Sequence, residues 1–226
     1  ANDESYKYYQ PAGGDQATDD DRIDAMKLAC ENGARVVVAA GYMQEGALRA
    51  AAIANPDVKF IFIDGYPVAD DAGNVLKNIA GISFKEEQSG YLAGYAAVKD
   101  GFTKLGFMGG MAVPAVVAFG YGYLQGIEAA AAELGLDDGS VKVFYHYTGD
   151  FAETDANKAT AKAMIQSGAQ VIFGCGGSVG KSVMAAAAEG NIKSIGVDVN
   201  QKADSETVIT SATKGLGASV QAVLAS

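Results

Sequence analysis

The chain contains an internal repeat, and this repeat constrains the fold more than any other feature. Each copy has an apolar run that ends in Gly, a helical stretch, and a second apolar run that ends in Asp. The first copy runs from Asn32 to Asp64, and the second runs from Ser167 to Asp198. The repeat predicts two similar lobes, each built from alternating strands and helices.

The two closing carboxylates indicate where a ligand would sit. Open α/β sheets bind ligands at the carboxyl ends of their strands, and both Asp64 and Asp198 follow an apolar run there. The pattern therefore favours a protein that holds a ligand in a cleft between two lobes. The alternative is that each Asp only caps the loop that follows it.

Short β-branched or aromatic runs alternate with Ala-rich stretches, which predicts an α/β fold with parallel sheets and helices on both faces. Predicted strands are 6–9, 35–40, 58–63, 78–84, 104–108, 141–147, 170–173, 193–197 and 207–211, and predicted helices are 18–31, 44–54, 86–99, 114–135, 154–166 and 178–189. A turn signal at Asp100-Gly101 precedes Lys104, where the second half of the chain begins with a new predicted strand. We therefore expect lobe one to comprise 1–102 plus 202–226, and lobe two to comprise 103–201.

The first lobe is expected to be incomplete. Extending the repeat backwards aligns residues 6–9 with 141–145 and residues 18–30 with 154–166. The second copy has a further strand and helix before this point, over 104–136, and the first copy has no counterpart. A first lobe built like the second would need about 35 more residues at its N-terminus, a length taken from helix and strand periods. The chain also ends within an apolar stretch that lacks a helix stop signal.

The bulk composition excludes several classes of partner. The formal net charge of −10 disfavours binding to nucleic acid or to an anionic membrane surface. No apolar run reaches the roughly 18 residues that a spanning helix needs. Cys30 and Cys175 lie in different copies of the repeat at a spacing that fits no metal motif, so neither a disulfide nor a metal site is expected.

A glycine-rich turn over 174–182 invites comparison with a phosphate-binding loop, but its spacing is wrong. Cys175 stands where that motif requires its first Gly. Gly176 and Gly177 keep a simpler meaning, because a glycine turn at a helix N-terminus exposes backbone N–H groups to the oxygens of a ligand.

Catalytic chemistry is poorly supported, and we expect neither catalytic residues nor a cofactor. The chain has one histidine, His146, inside a predicted strand, and no nucleophile elbow is present. Asp64 and Asp198 could form an acid–base pair. In a two-lobe cleft, however, accepting hydrogen bonds from a ligand is the favoured role for both.

Phe151 stands out because it lies in a polar loop between a strand and a helix. An aromatic face at a cleft mouth suits stacking on a planar ligand or a sugar ring. The alternative is that the ring tucks under the N-terminus of its own helix.

Several segments resemble the basic membrane protein family of bacterial ABC-transporter receptors, the PnrA-like purine-nucleoside-binding lipoproteins. The most specific segment is Ser83-Phe84-Lys85-Glu86-Glu87-Gln88-Ser89-Gly90-Tyr91-Leu92-Ala93-Gly94. The resemblance continues through residues 57–65, 104–111, 176–177, 195–198 and 210–214. It covers nearly the whole chain, in order.

The resemblance implies a type I periplasmic-binding-protein fold with two Rossmann-like lobes that close on a ligand, as such receptors do. It implies that Asp64 hydrogen-bonds the purine edge and that Phe151 stacks on the base. Asp198 and Lys214 would take the ribose hydroxyls, with the backbone of Gly176 and Gly177 nearby.

The resemblance also implies a biological setting. The chain would deliver adenosine, guanosine or inosine to an ABC permease and its ATPase subunits, outside the cytoplasm, held to the membrane only by a lipid anchor outside this chain. Two departures from the family are the absent first strand with its loop and Ala112, which replaces an Asp. A sugar receptor of the same fold remains an alternative, as does a nucleoside-processing hydrolase that uses Asp64 or Asp198.

Overall fold

Eight β-strands form two separate parallel sheets in the computed structural model, which describes residues 6–226. In chain order the elements are α1 (Asp19–Glu31), β1 (Val36–Ala40), α2 (Glu45–Ala54), β2 (Lys59–Ile63), β3 (Ile79–Ile82), α3 (Glu86–Lys99), β4 (Lys104–Gly109), α4 (Pro114–Glu133), β5 (Lys142–Tyr147), α5 (Asp155–Gln166), β6 (Val171–Cys175), α6 (Val179–Gly190), β7 (Lys193–Asp198), β8 (Val208–Thr213) and α7 (Leu216–Leu224). The described residues up to 83, with 216–226, make up the first unit, and residues 84–215 make up the second.

The first unit is built on a three-stranded sheet in the order β1-β2-β3. Its centre is β2, where Phe60 and Phe62 are fully buried against the α2 residue Leu48. Helix α1 begins with a capping box, in which the Thr18 side chain and the Asp21 carboxylate each accept the backbone N–H of the other residue. This local signal explains why the helix begins where the sequence predicts it.

The second unit is built on a five-stranded sheet in the order β5-β4-β6-β7-β8, covered by helices on both faces. Side chains on a strand alternate between the two faces. Leu105 and Phe107 of β4 therefore join α3 and α4 in one core, and Met108 joins α5 and α6 in the other. Burial on both faces accounts for the near-continuous apolar strands of the sequence.

Helices α3 and α4 pack closely through glycines spaced four residues apart on each helix. A Cβ atom on Gly90 or Gly94 of α3 would overlap a backbone carbonyl of α4. A Cβ atom on Gly122 or Gly126 of α4 would likewise overlap a carbonyl of α3. Residues at i and i+4 share a helix face. Each glycine pair therefore leaves that face without side chains, so that the backbone of the other helix can approach closely.

Most predicted elements are confirmed, with boundaries within two residues of those observed. The strand predicted at residues 6–9 is wrong, because this segment has no regular structure. A strand needs a neighbour to pair its backbone groups, and among the described residues no strand pairs with this segment. Helix α7 was not predicted.

The division into units also differs from the expected lobes in two segments. The sequence grouped 84–102 and 202–215 with lobe one, whereas both lie in the second unit. The physical reason is that α3 packs on α4 and β8 pairs with β7. None of the helices over residues 6–226 has both the length and the apolar character needed to cross a bilayer.

Candidate functional site

A cluster of three charged side chains, two of them buried, lies at the carboxyl edge of the five-stranded sheet. The Nζ atom of Lys214 is 3.0 Å from Oδ1 of Asp198 and 3.7 Å from Oε1 of Glu86. The side chains of Lys214 and Glu86 are only 4% and 7% exposed, whereas that of Asp198 is 37% exposed. Asp198 is therefore the member of the cluster that presents a charged group to solvent.

Strand pairing brings these residues together. Strands β7 and β8 run parallel, with Asp198 opposite Thr213, and the Lys214 N–H donates to the Asp198 carbonyl at 2.9 Å. Glu86 occupies the first turn of α3, which follows Lys85. The Lys214 ammonium also lies 5.7 Å and 5.3 Å from the ring centres of Phe84 and Phe119, within cation–π range.

The segment after Asp198 is tied back to the sheet. The Val197 N–H donates to Oε1 of Gln201 at 2.8 Å, and the Gln201 N–H donates to Oγ of Ser211 at 3.1 Å. A Cβ atom on Gly196 would lie 2.6 Å from the same Ser211 oxygen, so the glycine makes room for this support. These contacts fix the backbone on both sides of the Asp198 carboxylate.

Phe151 packs against three glycines at the same sheet edge. A Cβ atom on Gly177 would lie 2.8 Å from the Phe151 Cβ, and one on Gly176 would lie 3.0 Å from the ring. A side chain on Gly110, just after β4, would overlap the ring directly. Phe151 is half-buried and also touches the core beneath α4. The ring thus packs against these glycines and that core rather than under the N-terminus of α5, and its stacking on a ligand stays a prediction.

Asp64 stands at the corresponding place in the first unit. It follows β2, and its backbone N–H donates to the Ile82 carbonyl at 2.9 Å. Its φ angle is 65°, and that of Asp198 is 66°. A left-handed backbone is uncommon for a residue other than glycine, and such outliers persist where the surrounding structure enforces them. The repeat seen in the sequence therefore extends to a shared backbone conformation at both carboxylates.

The glycine turn does not form a phosphate-binding loop. Gly176 and Gly177 have φ angles of 115° and 51°, and the Ser178 N–H donates to the Phe151 carbonyl at 2.8 Å. That N–H is thus occupied by the aromatic segment. Within residues 6–226, no group of His, Cys, Asp and Glu side chains is arranged to hold a metal ion.

The other residues considered from sequence lie apart from this edge or take no part in it. Cys30 is half-buried on α1, and Cys175 is buried at the end of β6. His146 is exposed on β5, which is an edge strand.

Five of the six predicted site residues thus lie at one sheet edge of the second unit, and Asp64 ends a strand of the first. Sequence reasoning missed Glu86 as a member of the charged cluster. A signal existed, since Glu86 lies within the segment that carries the family resemblance. Nothing in the sequence alone indicated that it would approach Lys214, which is far away along the chain.

Comparison with solved structures identifies the fold, and a family model identifies the class of protein. The fold matches an ABC transporter solute-binding protein from Aeropyrum pernix with a TM-score of 0.69 and 24% identity, over 86% of this chain and 55% of that one. The chain has the type I periplasmic-binding-protein fold. The model of the family described as ABC transporter substrate-binding protein PnrA-like matches residues 2–225. This chain belongs to that family of substrate-binding proteins.

Two curated relatives are similar along most of this chain. Basic membrane protein B of Borrelia garinii is 32% identical over 199 residues, which cover 86% of this chain and 55% of the relative. The ABC transporter nucleoside-binding protein BmpA of Lactococcus lactis is 31% identical over 210 residues, which cover 84% of this chain and 56% of the relative. The chain thus spans about 55% of the length of the relatives it matches.

Proposed function

We propose that this chain is the ligand-binding part of a receptor that delivers a purine nucleoside to an ABC import system. One observation carries the proposal: Asp64 and Asp198 end equivalent strands of two units in the same left-handed backbone conformation. A strained backbone at a strand's carboxyl end is typical of a functional position in open α/β sheets.

Phe151 and Asp64 are assigned to the base. The exposed part of the Phe151 ring offers a flat apolar face, and purines are flat and aromatic. A carboxylate accepts hydrogen bonds only, so Asp64 suits the N–H groups on the edge of a purine. A sugar ring can also stack on Phe151 but has no N–H donors, so Asp64 is the residue of this pair that favours a nucleoside over a plain sugar.

Asp198 and Lys214 are assigned to the ribose. Asp198 presents its carboxylate to solvent, while Lys214 lies behind it at 3.0 Å. Asp198 can accept a hydrogen bond from one ribose hydroxyl. An ammonium group has three N–H donors, so Lys214 can bind Asp198 and still donate to the other ribose hydroxyl. The backbone at Gly176 and Gly177 is assigned a place beside the ligand.

The proposed partners follow from the family. The protein would act outside the cytoplasm and deliver its ligand to a permease and ATPase subunits, with a lipid anchor outside this chain as its membrane attachment. The name of the Lactococcus relative supports nucleosides as the ligand class. No covalent step is proposed.

Calorimetric titration with adenosine, guanosine and inosine, with ribose as the control, tests this function. Binding of a nucleoside but not of ribose supports recognition of the base. Binding of ribose or another free sugar, with no nucleoside bound, would favour the sugar receptor instead. Release of hypoxanthine during incubation with inosine would favour the hydrolase.

A further inference from the structure

The segment that carries Phe151 is held by a buried amide. Asn157, in the first turn of α5, is only 5% exposed. Its Nδ2 group donates to Oδ1 of Asp150 at 2.8 Å and to the carbonyl of Ala152 at 3.0 Å. An amide nitrogen has two N–H donors, and here one is directed at each neighbour of Phe151.

Other hydrogen bonds complete the restraint of this segment. The Ala152 N–H donates to Oδ1 of Asp150 at 2.9 Å, so this carboxylate oxygen accepts from two groups. The Thr148 hydroxyl donates to the Asp150 carbonyl at 3.0 Å, and the Ser178 N–H donates to the Phe151 carbonyl at 2.8 Å. Every residue from 150 to 152 therefore has its backbone fixed by at least one bond to a neighbour.

We propose that Asn157 is a positioning residue that fixes the Phe151 ring before any ligand arrives. Its contribution to affinity rests on the proposed function, in which Phe151 stacks on the base. A ring already held in its bound orientation loses little conformational freedom on binding, and this preorganisation raises affinity. The buried amide acts on the segment alone and makes no contact with the ligand.

The first test needs no ligand. Fluorine NMR of protein labelled with 4-fluorophenylalanine gives one signal for each of the nine Phe residues, and Phe151→Leu identifies the signal of Phe151. The matched control is Ser182→Ala, which removes a buried hydroxyl that bonds Thr154 at the far end of the same loop. We expect Asn157→Ala to broaden, split or shift the Phe151 signal and Ser182→Ala to leave it unchanged. An unchanged signal in Asn157→Ala, or equal changes in both variants, would overturn the proposal.

The second test uses inosine and a double variant. We expect Asn157→Ala to lower affinity roughly tenfold, a loss of about 1.4 kcal/mol. We expect Asn157→Ala/Phe151→Leu to bind no more weakly than Phe151→Leu alone, because Asn157 acts only through the ring. Independent, additive losses would overturn the positioning role. Wild-type affinity in Phe151→Leu would instead refute the stacking role in the proposed function, and the ligand-free NMR result would still decide the role of Asn157.

Discussion

Replacing Lys214 with Met should destabilise the second unit strongly, although the change conserves much of the side-chain volume. Met fills irregular space well, so packing is largely kept while the positive charge is lost. The charge lies 3.0 Å from Asp198 and 3.7 Å from Glu86, and the Lys214 side chain is 4% exposed. Removing one partner from a buried ion pair costs about 3–5 kcal/mol, because it leaves an uncompensated buried charge.

Urea unfolding followed by circular dichroism measures this loss. With an m value of about 2 kcal/mol/M, a loss of about 4 kcal/mol lowers the urea midpoint of the second unit by about 2 M. Lys193→Met is the matched control, because Lys193 is exposed at the start of β7, and its effect should stay within about 0.5 kcal/mol.

A double variant makes the reasoning sharper. If the cost comes from Glu86 left as a buried charge, Glu86→Gln/Lys214→Met should be more stable than Lys214→Met by about 1–3 kcal/mol. Asp198 would then remain charged, but it is partly exposed to water. A double variant less stable than Lys214→Met, or a Lys214→Met midpoint equal to that of the control, would refute this account of the cluster.

Three further predictions concern stability and titration. Gly126→Ala should lower the free energy of thermal unfolding by about 1–3 kcal/mol, because its Cβ would overlap the carbonyl of Tyr91. The control Gly180→Ala has room for a Cβ and should change that free energy by no more than about 0.5 kcal/mol. Equal effects would contradict the close packing of α3 on α4. Asp64→Ala should be less stable than Asp64→Gly by about 1–2 kcal/mol, because only glycine adopts the left-handed backbone of this position freely. If urea unfolding shows Asp64→Ala to be the more stable variant, Asp64 does not have that backbone conformation. Hydrogen bonds from Lys158 and Lys162 lower the pKa of Glu189 to about 2. The contribution of Glu189 to folding stability is therefore full above the usual carboxyl pKa and is lost as the pH falls towards 2. Carbon NMR should place the titration midpoint of Glu189 near pH 2, and a midpoint at the usual carboxyl pKa would refute the pairing.

Much of the fold could be predicted because strand and helix periods are local properties of the sequence. The apolar runs of β2, β4 and β6 and the capping signal at Thr18 are readable without any tertiary information. The grouping of α3 and β8 was not readable, because it depends on contacts between distant segments. The glycines of α3 and α4 indicate a close helix contact only once both helices are known to face each other.

The sequence could indicate which residues end strands or lie in loops at the sheet edges, but not their geometry, and their binding roles stay predictions. Strand ends predicted Asp64 and Asp198, and loop polarity singled out Phe151. The left-handed backbone at the two carboxylates was not predictable, since it depends on how the chain turns after each strand. The approach of Glu86 to Lys214 joins a helix start to a strand end, and no spacing rule links them.

The prediction for residues 6–9 illustrates the limit of pattern reasoning. The aromatic run has strand character, but strand formation depends on a neighbour to pair with. The same kind of run at β5 is a strand because β4 lies beside it.

The most direct test of the proposed nucleoside site is the affinity for inosine of Asp64→Asn and Asp198→Asn, measured by calorimetry. Asn is well tolerated in the left-handed backbone, so each change removes a charge and leaves the turn intact. Asp138→Asn, on an exposed loop, is the matched control. We predict that each site variant loses about 10- to 150-fold in affinity, as expected for a hydrogen bond to a charged group, and that the control binds like wild type. Wild-type affinity in both site variants would contradict the assignment of these carboxylates to the ligand.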